Sequence, residues 1–548
     1  MSSVRRNAWV MALGVGLLAL WVDALAVRPL FNPDEGRYAE IPREMLQGHD
    51  WVVPHLNGLA YIEKPPLQYW ATAASYSLFG ISELSARLYT ALTAFGTLGA
   101  VWWAARGIWT RELASRAVVI SASMLLFVLL GQLLTLDMSL TFFLTLSLSA
   151  FLVAQVRAEQ DRPRSVSRCM AVAWSAAALG VLTKGLIAAV IPAAVLVLYT
   201  LRTHDTAPWR RLNFRFGLPA FALIAVPWHM LAQARLPDFV QFFFVREHFA
   251  RFMTPVSDRQ EAPWFFVAVF LLGTLPWTLP AVRGALTGWR RSAAAGAFDH
   301  GVFLWLWVVF VLVFFSLSDS KLIPYILPAF PALAILIAAG KLSSLIRDVS
   351  RSAGLMALAG VAGLAAAAFL PELLKSADRA AYFLQLRGPL FAAAATLLMT
   401  GGVGWLRRRT DVTVNVALLG AGSLIAILLM LRSAGAVAPL YSGLLLAKAE
   451  APPPADQRVY SVATYDQTLP FYWRRPVTLV VFRGELDYGL RQDSTGWIGS
   501  LDEFLVRWRQ ESKAYAVMER STYETLRSGG VPMREVTRDA HRILVARQ

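Results

Sequence analysis

The residues of this chain best suited to chemistry lie in two short charged segments. They are Asn32-Pro33-Asp34-Glu35-Gly36-Arg37-Tyr38 and Tyr61-Ile62-Glu63-Lys64-Pro65-Pro66, and both follow the first long apolar stretch. Acids and a lysine beside a bilayer cost desolvation free energy unless they are solvated, paired or used in a reaction. The two segments therefore predict a site that faces water or a polar headgroup.

Further polar residues occur at the ends of later apolar stretches. They are Asp137 in the turn Thr135-Leu136-Asp137-Met138, Lys184 in Thr183-Lys184-Gly185, Arg246, Glu247 and His248 after an aromatic run, and Asp319, Ser320 and Lys321 before Leu322-Ile323-Pro324-Tyr325. A polar cavity built from several loops at one interface is what an enzyme acting on lipid-linked, phosphate-bearing substrates requires. We therefore expect these segments to converge on one face of the membrane.

The composition indicates the framework that must position these residues. Of the 548 residues, 56% are hydrophobic and only 16% are charged, and many apolar runs approach the ~20 residues needed to cross a hydrocarbon core. We predict an α-helical polytopic membrane protein with about 13 spans, near residues 9–27, 86–105, 116–135, 138–156, 170–183, 185–201, 216–235, 264–283, 301–317, 322–340, 352–371, 388–406 and 413–431.

The orientation follows from the basic residues, because Lys and Arg in short loops stay on the cytoplasmic side. They occupy every second gap between the predicted spans, from Arg5 and Arg6 to Arg407, Arg408 and Arg409. This alternation predicts an odd number of spans, a cytoplasmic N-terminus and an outer C-terminus. It also accounts for much of the net charge of +16 without nucleic acid, whose binding usually shows as a basic stripe on a soluble face.

A second region begins where the apolar runs stop. We predict a membrane catalytic domain over residues 1–431, with main outer loops at 28–85 and 236–263, and an outer α/β domain over 432–548. Polar composition and period-two alternation in the second region predict strands and helices. The strands are Val459–Ala463, Val477–Phe482, Ala514–Met518 and Ile543–Ala546, and the helices are Leu501–Gln510 and Ser521–Leu526.

Several candidate residues also have structural interpretations. Asn32 and Glu35, with Pro33 between them, fit a helix N-terminus in which Asn32 caps and Glu35 reaches back, and this would leave Asp34 free. Glu63 and Lys64 could form a surface ion pair ahead of a helix. Lone lysines at helix ends, such as Lys184, commonly extend to the interface.

Asp137 and His248 raise different questions. A carboxylate in so tight a turn between two spans lies close to hydrocarbon, so Asp137 needs a cation or a donor nearby. A lone histidine is usually an ordinary hydrogen-bonding group. His248 with Glu63 or Asp34 could form an incomplete metal site, although no spacing in the sequence resembles a zinc motif.

At these motifs the chain resembles the bacterial lipid A aminoarabinose transferases. These proteins are relatives of the protein O-mannosyltransferases and have the GT-C fold of polyprenyl-phosphate-dependent glycosyltransferases. Five motifs in order carry the resemblance: the Asn32–Tyr38 segment, Glu63-Lys64-Pro65-Pro66, Thr183-Lys184-Gly185, Arg246-Glu247-His248 and Ser320-Lys321-Leu322-Ile323-Pro324-Tyr325-Ile326-Leu327-Pro328.

The resemblance implies transfer of 4-amino-4-deoxy-L-arabinose from undecaprenyl phosphate to a lipid A phosphate, with inversion, on the periplasmic side of the bacterial inner membrane. Resistance to polymyxin and cationic antimicrobial peptides would follow. The implied catalytic residues are Asp34, Glu35 and Asp137, and the implied donor-phosphate ligands are Lys64, Arg246, Lys321, Tyr325 and Lys184. Arg37, Tyr38, Tyr61, Glu63 and His248 would line the cavity.

The chemistry of these substrates limits the roles of the residues. The leaving group is a polyprenyl phosphate monoester, so cations must meet its developing negative charge. A lipid A phosphate is already anionic, so Asp34 is expected to orient the acceptor, bind the sugar amine or stabilise an oxocarbenium-like centre rather than remove a proton. We expect no required cofactor, with a divalent ion such as Zn at Glu63 and His248 as the open alternative, and we expect a monomer.

Two other functions remain open at this stage. In a protein O-mannosyltransferase the acceptor hydroxyl would need deprotonation, and Asp34 would be the base. A lipid flippase or transporter would place its polar groups near the midplane within repeated, broken helices. No such pairing between halves of the chain is evident in the sequence.

Overall fold

Long helices form most of the first 433 residues of the chain. The computed structural model describes residues 3–253, 260–290, 297–374, 379–408, 411–449 and 453–547. The helices of this part are α1 (Ser3–Val27), α2 (Asp34–Gly48), α3 (Leu67–Phe79), α4 (Glu83–Ile108), α5 (Arg111–Ser123), α6 (Leu125–Gln132), α7 (Leu136–Glu159), α8 (Pro163–Lys184), α9 (Ile187–Thr203), α10 (Ala207–Arg210), α11 (Phe214–Arg235), α12 (Arg251–Met253), α13 (Phe265–Gly273), α14 (Thr278–Thr287), α15 (His300–Ser316), α16 (Phe330–Ala339), α17 (Leu342–Leu373), α18 (Ala380–Leu384), α19 (Arg387–Leu406) and α20 (Val412–Ser433). A π-helix covers Gln241–Ala250, and 3-10 helices cover Ile323–Ala329 and Ala434–Val437.

Helices lie at every predicted span position. Within the described residues, six are long and apolar enough to cross a membrane, or seven if α5 and α6, which meet at a bend of 64°, form one span. Shorter apolar helices lie at Met11–Val27, Ile187–Thr203, His300–Ser316 and Ile323–Ala339. The α-helical membrane architecture is thus as predicted, and the exact number of spans stays a prediction.

The C-terminal region contains a six-stranded sheet. Its elements are α21 (Ala438–Tyr441), α22 (Leu444–Ala447), β3 (Arg458–Val462), α23 (Thr468–Trp473), β4 (Thr478–Val480), α24 (Asp487–Gln492), β5 (Trp497–Ile498), α25 (Leu501–Gln510), β6 (Ala514–Glu519), α26 (Arg520–Ser528), β7 (Met533–Arg538) and β8 (Arg542–Arg547), with a 3-10 turn at Gly484–Leu486. The strand order is β5-β4-β3-β6-β8-β7. The strands β3, β4, β5 and β6 are parallel, and β8 runs antiparallel to β6 and β7.

Alternation along the strands gives this sheet two buried faces. On one face, Tyr460 and Val462 pack with Phe504 and Trp508 of α25. On the other face, Val459 and Leu479 join a core that includes Tyr38 and Tyr61 of the first outer loop, among other residues. The predicted α/β domain is therefore present, and one of its faces is covered by the loop that carries the charged motifs. The predicted boundary at residue 432 is not tested by these contacts.

Specific polar contacts fix the C-terminal domain onto the first loop. A short hairpin, β1 (His55–Leu56) and β2 (Leu59–Ala60), presents Asn57. The Asn57 amide donates to the Val477 carbonyl at 2.9 Å and accepts from the Val477 N–H at 2.8 Å. Gly36 packs directly against the C-terminal domain, because a Cβ added at Gly36 would lie only 2.6 Å from the carbonyl carbon of Gln467. The first loop and the C-terminal domain thus form one packed unit.

Glu35 occupies the centre of a buried ionic cluster that anchors this loop. Its carboxylate accepts from Arg28 Nη1 at 2.7 Å, from Arg87 Nε at 2.7 Å and Nη2 at 2.8 Å, and from the Leu134 N–H at 3.0 Å. Burial alone would raise the pKa of Glu35, but the two guanidinium groups outweigh it and lower the pKa to about 2. The cluster joins the end of α1, the first turn of α2, α4 and the segment before α7.

This cluster predicts a stability effect at Glu35. In Glu35→Gln, two buried guanidinium groups lose their counter-charge, which costs about 3–5 kcal/mol. We expect a large fall in the thermal unfolding temperature of the detergent-solubilised protein. The control is Asp34→Asn, which makes the same charge change at the neighbouring, half-exposed acid and should leave the unfolding temperature nearly unchanged. An unfolding temperature of Glu35→Gln as high as that of wild type would contradict this structural role of Glu35.

Candidate functional site

A cavity of about 450 Å³ lies among α7, α8, α9, α15 and the residues that follow the π-helix. Its lining falls into two groups of side chains. The polar group is Lys64, Asp137, Lys184, Glu247, Arg251, Ser318, Ser320 and Tyr325, and the apolar group is Leu140, Leu186, Ile187, Val190, Phe252, Met253, Phe314 and Phe315. The cavity therefore offers charged groups and a long apolar wall to one ligand.

Lys64 and Arg251 share a carboxylate in this cavity. The Lys64 Nζ is 3.6 Å and the Arg251 Nη1 is 2.7 Å from the same oxygen, Oε2 of Glu247. Burial and the Arg251 charge lower the pKa of Lys64. Burial alone would raise the pKa of Glu247, but Lys64 and Arg251 lower it. Glu247 thus holds two cations side by side in a space that is largely closed to water.

Asp137 and Lys184 form the second ion pair of the cavity. Lys184 Nζ donates to Asp137 Oδ1, and the same ammonium lies 4.8 Å from the centre of the Tyr325 ring. The prediction that Asp137 needs a nearby cation is confirmed. Lys184 is held by this carboxylate, and it does not simply extend to the interface.

The cavity keeps hydrogen-bonding capacity and positive charge for a ligand. Among the described residues, Arg251 Nε and Ser320 Oγ are buried without a hydrogen-bond partner. The cations Lys64, Lys184 and Arg251 outnumber the carboxylates Asp137 and Glu247 in the lining. Buried donors and a positive balance suit an anionic group, because charge-assisted hydrogen bonds are the strong ones.

Asp34, in the first turn of α2, is not among the residues that line the cavity. Its carboxylate is 3.5 Å from Arg37, and 52% of its side chain is exposed. Arg37 is buried and donates to Glu485 of the C-terminal domain at 2.6 and 3.3 Å. Its guanidinium carbon lies 5.8 Å from the Tyr38 ring centre and 5.9 Å from that of Tyr61. The sequence predicts that these three residues line the cavity, but they form a separate aromatic wall and are not among the residues of its lining.

Tyr38 in this wall lies near enough to charged groups, including Asp137 of the cavity, for them to change the pKa of its phenol. Burial raises the pKa of its phenol, and the charges of Asp34, Glu63 and Asp137 raise it further. Three of the predicted acids are therefore close enough to act on one buried ring. Arg37 lowers the pKa of Tyr38, but by less than Asp34 raises it.

The structure places Glu35, Arg246 and Lys321 outside the lining of this cavity, and their predicted roles stay predictions. Asn32 does not cap α2, because its Oδ1 accepts from the Gln467 N–H at 3.0 Å. Glu35 does reach back as expected, accepting from the Phe31 N–H at 3.0 Å. Glu35 is enclosed by arginines away from the cavity. The lining includes Lys64, Lys184 and Tyr325 but neither Arg246 nor Lys321.

Arg246 lies in the π-helix Gln241–Ala250 and does not line the cavity. It is exposed, and its guanidinium lies 5.4 Å from the Phe242 ring centre. The sequence analysis missed Arg251, and it named Glu247 within a motif without assigning it a role. Their i,i+4 spacing, typical of an ion pair within a helix, was available in the sequence but lay just beyond the recognised motif.

The structure leaves the predicted metal site untested. The side chain of His248 lies outside the described residues. In the part of the chain that the structure describes, no group of three or more His, Cys, Asp or Glu side chains is placed to hold a metal ion. Glu63 is half-buried, and its carbonyl accepts from Lys64 Nζ at 2.9 Å.

Comparison with known proteins gives consistent matches for both parts of the chain. Residues 445–547 match the aminoarabinose transferase C-terminal domain, and residues 8–243 match the dolichyl-phosphate-mannose-protein mannosyltransferase model. The undecaprenyl phosphate-alpha-4-amino-4-deoxy-L-arabinose arabinosyl transferase of Aeromonas salmonicida is 36% identical over 348 residues, or 62% of this chain and 61% of that protein. Transferase 1 of the same name from Proteus mirabilis is 34% identical over 61% of this chain and 59% of that protein. The alignments thus span about three fifths of these relatives.

The structural match covers nearly the whole chain. The crystal structure of ArnT from Cupriavidus metallidurans bound to undecaprenyl phosphate superposes with a TM-score of 0.89 at 32% identity, covering 98% of both chains. The fold and the site together define a polytopic membrane protein of the GT-C class. Within that class, this chain belongs to the aminoarabinose transferase family.

The Asp137–Lys184 pair predicts different outcomes for stability and activity. Asp137→Asn and Lys184→Gln each leave one unpaired charge near the membrane, so each should unfold at a lower temperature than the double variant. Transfer activity should be low wherever Lys184 is absent, including in the double variant, because the ligand's negative charge then loses a cation. Equal recovery of stability and activity in the double variant would mean that the pair is only structural.

Proposed function

We propose that this protein transfers 4-amino-4-deoxy-L-arabinose from undecaprenyl phosphate to a phosphate of lipid A. The observation that carries the proposal is the cavity with clustered cations and an apolar wall in one space. A polyprenyl phosphate needs both kinds of surface. The family match supports this donor, because the similar Cupriavidus protein was crystallised with undecaprenyl phosphate and the curated relatives are named for the aminoarabinose donor.

The donor phosphate would lie against Lys64, Lys184 and Arg251, and its chain along Phe252, Phe314 and other apolar residues of the lining. Arg251 can present its unpartnered Nε, and Ser320 its unpartnered hydroxyl, to phosphate oxygens. In the reaction, the bond between the anomeric carbon and the donor phosphate oxygen breaks. The leaving phosphate then gains a negative charge, which these cations stabilise.

The acceptor would approach the opposite face of the sugar. A phosphate oxygen of lipid A forms the new bond to the anomeric carbon, which inverts its configuration. Because that oxygen is already anionic, no general base is required. Asp34, whose carboxylate lies 3.5 Å from Arg37, would orient the acceptor or bind the sugar's ammonium group.

The membrane setting of the proposal follows from the basic loops. The alternation of Lys and Arg places the cavity on the periplasmic side of the bacterial inner membrane, with the N-terminus in the cytoplasm. We further propose that the protein acts as a monomer without a required cofactor. A divalent ion between Glu63 and His248 is the competing proposal, and metal analysis of the purified protein decides between the two.

Protein O-mannosylation is the second candidate function. The match of residues 8–243 to the mannosyltransferase model favours it. There the acceptor is a neutral Ser or Thr hydroxyl, so Asp34 would act as the base. The match of residues 445–547 to the aminoarabinose transferase C-terminal domain favours the first candidate.

Mass spectrometry of lipid A tests the proposal. In cells that make the donor but lack this protein, wild type should restore an aminopentose on the lipid A phosphates, with a matching rise in polymyxin resistance. Asp34→Asn should restore less than about a tenth of the aminopentose that wild type restores, since one well-placed group commonly contributes 10²-fold or more to the reaction rate. If wild type leaves lipid A unmodified while periplasmic proteins become glycosylated, the lipid A proposal is wrong and the mannosyltransferase candidate gains support.

A further inference from the structure

A second polar cleft lies at the other end of α7. The catalytic cavity contains Asp137, in the first turn of α7, whereas this cleft of about 450 Å³ is lined by Trp103, Arg106 and Gly107 of α4 and by Arg157 and Gln160 at the end of α7. At 1.5 Å per residue, Asp137 and Arg157 are about 30 Å apart along the helix axis. The two sites therefore belong to opposite membrane faces, and the predicted topology places the cleft on the cytoplasmic side.

The two arginines of the cleft lack acidic partners. Arg157 Nη1 donates to Gln160 Oε1 at 3.0 Å. Within the ranges that the structure describes, neither Arg106 nor Arg157 has a carboxylate at salt-bridge distance, and none lines the cleft. The nearby Glu159 accepts from the Phe298 N–H at 2.9 Å. The cleft therefore has an uncompensated positive charge.

Close helix packing and an aromatic rim shape this cleft. A Cβ at Gly107 would lie 3.1 Å from Val153 Cγ2, so the glycine lets α4 and α7 approach beneath the arginines. Trp103 is half-buried in the lining and Trp102 is 42% exposed on the same turn. Tryptophan collects at the headgroup level of a bilayer. The cleft thus lies where phospholipid phosphates lie.

We propose that Arg106 and Arg157 bind the phosphate of an anionic phospholipid in the cytoplasmic leaflet. Basic pockets between spanning helices on this side of a membrane commonly bind anionic head groups, and the planar guanidinium matches phosphate oxygens with two parallel hydrogen bonds. The site is separate from the cavity for the sugar donor. Phosphatidylglycerol and cardiolipin have the required charge, whereas phosphatidylethanolamine has no net charge.

Native mass spectrometry of the full-length protein in detergent tests this site with added phosphatidylglycerol, cardiolipin or phosphatidylethanolamine. Wild type should retain the two anionic lipids in preference to phosphatidylethanolamine. Arg106→Gln/Arg157→Gln should bind them about 30-fold more weakly, because each basic residue near an anionic surface contributes about fivefold in affinity. The matched control is Arg347→Gln/Arg351→Gln, which removes two positive charges from the same predicted side and should bind as wild type does.

Three results would overturn the proposal. They are equal retention of all three lipids, unchanged binding by the Arg106/Arg157 variant, and displacement of the anionic lipids by inorganic phosphate, which would indicate a free-anion site. If the double variant fails to fold, Arg106→Lys and Arg157→Lys keep the charge but lose the paired hydrogen bonds, and weaker lipid retention by them supports the site. Transfer activity of the variants separates this test from the proposed function, because neither arginine lies near the catalytic cavity.

Discussion

In the proposed site, cations that would bind phosphate at the edge of a bilayer must stay charged although they are largely removed from water, and this constraint explains much of the structure. Lys64 and Arg251 meet it by sharing Glu247, and Lys184 meets it with Asp137. Without these carboxylates, each buried cation would cost several kcal/mol of desolvation. With them, the cavity keeps its charge, its positive balance and the unpartnered Arg251 Nε for a ligand.

The same constraint explains why the loop that carries Asp34 is so firmly held. In the proposed reaction, the Asp34 carboxylate would act beside a membrane interface, where a mobile loop would lose the geometry that transfer requires. The Glu35 cluster holds the loop from the membrane side, and Glu485 and Asn57 connect it to the C-terminal domain. The C-terminal domain therefore has a clear physical task, which is to complete the wall around Arg37.

Local patterns in the sequence predict local structure well. The strands β3, β4, β6 and β8 and the helices α25 and α26 lie within a few residues of their predicted positions, because strand alternation and amphipathic spacing are short-range properties. The short strand β5 and the strand β7, with its mixed polar sequence, were missed. The convergence of Lys64, Asp137, Lys184 and Tyr325 was predictable from topology, since Asp137, Lys184 and Tyr325 lie at ends of apolar runs and Lys64 lies in a loop, all on the same predicted side.

Contacts between distant segments were not predictable in this way. Nothing local shows that Arg28 and Arg87 enclose Glu35, so a buried ionic anchor resembles a catalytic acid in the sequence. Arg246, Glu247 and the residues around them form a π-helix, whose wider turn changes which side chains face the cavity. The sequence therefore predicted Arg246 as a phosphate ligand, whereas Glu247 and Arg251 are the residues that line the cavity.

The most direct measurement of this account is the affinity of the purified protein for undecaprenyl phosphate. We predict that Arg251→Met and Lys64→Met weaken binding about tenfold or more, since each removes a charge-assisted contact worth about 1.5–3 kcal/mol. Arg246→Met and Lys321→Met, which remove cations outside the lining, should stay within about twofold of wild type. Loss of binding in the second pair with full binding in the first would contradict the proposed site.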